Sequence, residues 1–76
     1  SAWKELEFRQ AEAAARKEEL AAVKKDYEEA SRRGPATLAA LRAFAAICEL
    51  ERAYLGSVYD QALAKIKLEW AQGRDL

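Results

Sequence analysis

The chain has no histidine, methionine or asparagine, a single cysteine, a single proline and only three glycines. Each scarcity excludes something. Without histidine, the side chain that most often does general acid–base work at neutral pH is missing. Cys48 alone cannot complete a zinc site and forms no intramolecular disulfide. A di-metal helical bundle needs inward glutamates with Glu-x-x-His motifs, which this chain cannot supply. Preceded by Ala46 and Ile47, Cys48 reads as a small buried hydrophobe, with an intermolecular disulfide across a symmetry axis as the alternative. Gly34, Gly56 and Gly73 are too scattered for a phosphate-cradling loop. There is no apolar run near ~18 residues and no secretory-signal pattern, so no membrane span is expected and localisation stays open. Thirteen basic residues balance thirteen acidic ones, which leaves no electrostatic footprint for a nucleic-acid backbone. The carboxylates sit mostly on charged rows, with Glu18 beside Glu19, Glu28 beside Glu29, and Glu49 and Glu51 on different sides. They read as a solvated face rather than a catalytic pair. The expectation is no enzyme, no cofactor and no small-molecule ligand.

Helix-forming residues dominate the rest. Seventy-six residues, 51% hydrophobic and 34% charged, describe one small helical domain rather than a disordered chain. Ser1 can cap a first helix. Nothing breaks helix from Ala2 to Arg33. Glu5 with Arg9, Glu12 with Arg16, Glu28 with Arg32 and Glu29 with Arg33 are acid-first pairs one turn apart, the favourable order on a solvated face. Arg32 and Arg33 complement the carbonyl end of that helix. Gly34 then offers a left-handed cap, and Pro35 stops the helix.

The second helix is predicted to begin near Ala36 or Thr37 and to run to about Gln72, ending at Gly73 before Arg74–Asp75–Leu76. Gly56 and Ser57 interrupt its pattern. Two residues are too few for a comfortable reversal, and the apolar period continues into Val58 and Ala62, so one continuous helix is favoured over two.

Helix 1 carries an apolar stripe of Leu6, Ala13, Leu20, Val23, Tyr27 and Ala30, and a thinner one of Phe8, Ala11, Ala15 and Ala22. On helix 2 one face reads Leu41, Phe44, Cys48, Leu55, Val58, Ala62, Ile66. A second reads Ala40, Ala43, Ile47, Leu50, Tyr54, with Leu68 further on. If the chain folds back at Gly34–Pro35, facing residues have numbers summing to about 70, at a rise of ~1.5 Å per residue. This sets Tyr27 near Phe44, Val23 near Ile47, Leu20 near Leu50, and Trp3 near Ile66 and Trp70. It also places Gly56 against the Ala13–Ala15 cluster, small against small.

The predicted fold is all-α: an antiparallel two-helix hairpin with helix 1 over about 2–33, the turn over 34–36 and helix 2 over about 37–72. One seam rarely stabilises so small a chain, and a lone hairpin would leave an exposed apolar patch. Association into a multi-helix bundle is therefore expected, with a symmetric dimer favoured by frequency and a cyclic trimer or tetramer as alternatives. The expected interface between copies comprises Leu38, Leu41, Phe44, Ala45, Ile47, Cys48 and Leu55. Within it, Leu38, Ala45 and Cys48 are the residues left over once the intrachain seam takes Ala43, Phe44 and Ile47. The partner is the chain itself, with no nucleic acid and no membrane.

Two resemblances bear on this. The segment Asp26–Leu41, DYEEASRRGPATLAAL, resembles the hairpin tip of periplasmic adaptor proteins of tripartite efflux pumps, matching at Tyr27, Gly34, Thr37 and Leu41. The channel-contacting positions that carry Arg, Leu and Ser in that family are Asp26, Ala30 and Thr37 here. Likewise YLGSVYDQALAKIKLEWAQG is similar to the final helix of outer-membrane efflux channels. Such a likeness implies a coiled-coil hairpin that docks a partner protein through its turn. Over its whole length, the chain resembles computationally designed helical oligomers, with its Ser-initiated helix, acid-first charge pairs and minimal Gly-Pro turn. That likeness implies a self-assembling bundle with no site for chemistry.

Overall fold

Two helices, α1 (Ala2–Arg33) and α2 (Leu38–Ala71), make up the computed structural model, which describes residues 1–73. They pack against each other as an antiparallel hairpin, with no strand among the described residues. The rod measures 56 × 18 × 13 Å.

The start and the turn are built by short polar side chains. Ser1 caps α1, its Oγ accepting from the Lys4 amide at 3.3 Å. At the other end the Gly34 amide donates to the Ser31 carbonyl at 3.2 Å. Gly34 adopts φ 154°, ψ 119° rather than the expected left-handed helical cap. This extended positive-φ geometry is still one that L side chains rarely adopt, and a Cβ there would lie 3.0 Å from Thr37 Cγ2. Helix α2 begins at Leu38, slightly later than predicted, because Thr37 serves as its cap. The Thr37 hydroxyl accepts from the Ala40 amide at 3.2 Å and donates to the Gly34 carbonyl at 2.9 Å. One side chain thus ties both ends of the turn. The neighbouring Ser31 hydroxyl is buried without a partner among the described residues.

Helix α2 is continuous through Gly56 and Ser57. The Ser57 hydroxyl donates to the Tyr54 carbonyl at 2.7 Å, which satisfies it inside the helix. The helix closes with the Gln72 amide on the Leu68 carbonyl and the Gly73 amide on the Trp70 carbonyl. Gly73 is left-handed, φ 71°, as a terminating glycine should be. The predicted tail Arg74–Leu76 lies outside the described residues.

The seam follows the predicted fold-back register. Leu6, Ala13 and Leu20 are buried from α1, and Ala40, Ser57 and Ala64 from α2. Val23, Tyr27, Ala43, Ile47 and Leu50 are half-buried between them. Tyr27 and Phe44 meet with ring centroids 6.0 Å apart, tilted at 51°. Two expected contacts are corrected. Ser57, not Gly56, is the buried small residue of the mid-seam; Gly56 is exposed, and a Cβ there would meet nothing within 4 Å. Trp3 shares a shallow groove with Leu6, Lys65 and Leu68, while Ile66 and Trp70 are exposed. The cause is angular. Ile66 and Trp70 stand at the right height, but each is two residues from Leu68 and so on the far side of the helix.

The predicted acid-first pairs do not form among the described residues. Arg9 instead pairs with Glu12 at 3.3 Å and reaches Asp60 of α2 at 3.9 Å; Arg16 pairs with Glu19 at 3.3 Å; Lys67 meets Glu5 at 3.7 Å across the hairpin. Arg9 and Arg16 continue the three-and-four spacing of Leu6, Ala13 and Leu20, so both start in the seam and send their guanidiniums out sideways. Ala53, Gly56 and Ser57 leave the open groove beside Arg16 and Glu12.

Candidate functional site

The two helices use their large side chains differently. Helix α1 buries two leucines, whereas the three buried residues of α2 are two alanines and a serine. Nine of the eleven exposed large hydrophobics among the described residues belong to α2. The candidate site is therefore the outer face of α2, turned away from α1.

That face has its own regular spacing. Leu38, Leu41, Ala45 and Cys48 are followed by Leu55, Tyr59, Ala62 and Ile66, in alternating steps of three and four interrupted once at Arg52. This is the spacing of a helix seam with no helix against it. At ~1.5 Å per residue it runs roughly 42 Å along the rod. Leu38 is 62% exposed, Leu41 57% and Leu55 65%. Phe44 and Val58 lie along one edge, exposed although Phe44 also touches Tyr27.

Of the predicted interface residues, the structure brings Leu38, Leu41, Ala45, Cys48 and Leu55 onto this face, with Phe44 on its border. Ile47 is half-buried in the intrachain seam, where the fold-back register sets it, three residues from Leu50 and four from Ala43. Cys48, read from its neighbours as a small buried hydrophobe, is exposed in the single hairpin. Its apolar neighbour Ile47 faces α1, and one step along a helix rotates the next side chain by ~100°. The expected interface left out Arg52, Tyr59, Ala62 and Ile66, although the three-and-four spacing from Leu38 through Ile66 sets all four on this face. The turn pair Gly34–Pro35 is where the sequence placed it.

The outer face of α1 is different. Its second stripe is exposed, but Ala11, Ala15 and Ala22 offer little area, and Phe8 carries the Arg9 guanidinium 5.4 Å from its ring centre. At the turn, Asp26, Glu29, Ala30, Arg33, Thr37 and Ala39 line an open groove of ≈ 290 Å³. Among the described residues, no group of three or more His, Cys, Asp or Glu side chains could hold a metal ion, and no helix is long and apolar enough to cross a membrane.

Fold and surface together define an all-α helical hairpin with a largely apolar face of α2 turned away from α1. No protein-family model, curated protein or solved structure matches the chain.

Proposed function

We propose that this chain is a structural module that self-associates through the outer face of α2 into a symmetric homo-oligomeric bundle. A dimer is favoured, in the manner of the designed helical oligomers its sequence resembles, and the role requires no catalysis and no bound ligand. The supporting observation is the distribution within α2, whose three buried residues are small while nine of its large apolar residues are exposed. Burying those large side chains is the strongest driving force left to the molecule, at about 25 cal/mol per Å² of apolar surface. Area supports the same reading. The chain exposes 5935 Å², against about 4,700 Å² expected of a compact fold of its mass.

The test is mass in solution with and without a charge on that face. Leu55→Glu removes nothing from the intrachain seam, so it should give single chains that keep their helicity. An unchanged mass for Leu55→Glu would place the interface elsewhere.

A second reading is favoured by one feature of the turn. Asp26, Ala30 and Thr37, the positions matching the channel-contacting tip of efflux adaptors, converge on one groove. On that reading the tip docks a partner protein, and replacing Ser31–Thr37 with a scrambled turn of equal length should abolish capture of an efflux-channel tip. Capture that survives the scrambling discards it.

A further inference from the structure

We draw no further inference here: the strongest candidate, the apolar outer face of α2 from Leu38 to Ile66 with Arg52 at its middle, already carries the proposed self-association, and nothing in the structure shows what covers it or in which orientation.

Discussion

At the scale of single residues, the turn carries the sharpest dependence on side-chain identity. Gly34→Ala brings a Cβ to 3.0 Å from Thr37 Cγ2 in a backbone geometry that disfavours it, and should cost about 1–3 kcal/mol of stability. Thr37→Ala removes the cap of α2 and the bond back to Gly34, for a loss of about 1–2 kcal/mol. Ser31→Ala has the opposite sign. It deletes a buried hydroxyl with no partner among the described residues and adds helix propensity, and should stabilise by about 1 kcal/mol. Urea denaturation of the three variants at one chain concentration checks all three signs. Holding the chain concentration fixed keeps any contribution of association to the measured stability comparable among the three.

At the scale of the helices, the seam and the outer face should respond differently to the same chemistry. Ile47→Glu places a charge in the intrachain seam, where Val23 and Leu20 lie at matching heights, and should unfold the hairpin. Leu55→Glu should leave circular dichroism at single-chain mass close to that of the parent. If both variants unfold, the hairpin has no stability apart from its assembly. Leu20→Ala truncates one of the two buried leucines and should cost about 2–3 kcal/mol.

The contrast also shows what could be read from sequence. Helix ends were legible where Ser1, Gly34–Pro35 and Gly73 act locally, whereas Thr37, read as a first helical residue, is the cap of α2. The fold-back register was legible because a tight turn fixes the heights of both arms. Which side of α2 meets α1 was only partly legible. Its apolar residues cover more than one face, so periodicity offers two stripes without ranking them. The structure gives the seam to Ala40, Ala43, Ile47, Leu50 and Ser57, and leaves outside the face that begins at Leu38 and Leu41. Ion pairs were the least legible element. Spacing alone overlooks that Arg9 and Arg16 emerge from the seam and that Glu5 is reached by Lys67 from the other helix.

At the scale of the whole molecule, the hairpin is long for its mass and thin in its core. Its radius of gyration is 17.2 Å, where a compact chain of this length has about 11 Å. Among the described residues no large side chain is fully buried. A second copy along the outer face of α2 would turn a two-helix layer into a four-helix core without lengthening the rod. The central claim is that the chain exists as an assembly, and light scattering on a sizing column at micromolar concentration tests it most directly. The account predicts a mass that is an integer multiple of 8.5 kDa, with twice that value favoured. A single peak at 8.5 kDa, helical and stable at that concentration, would contradict it.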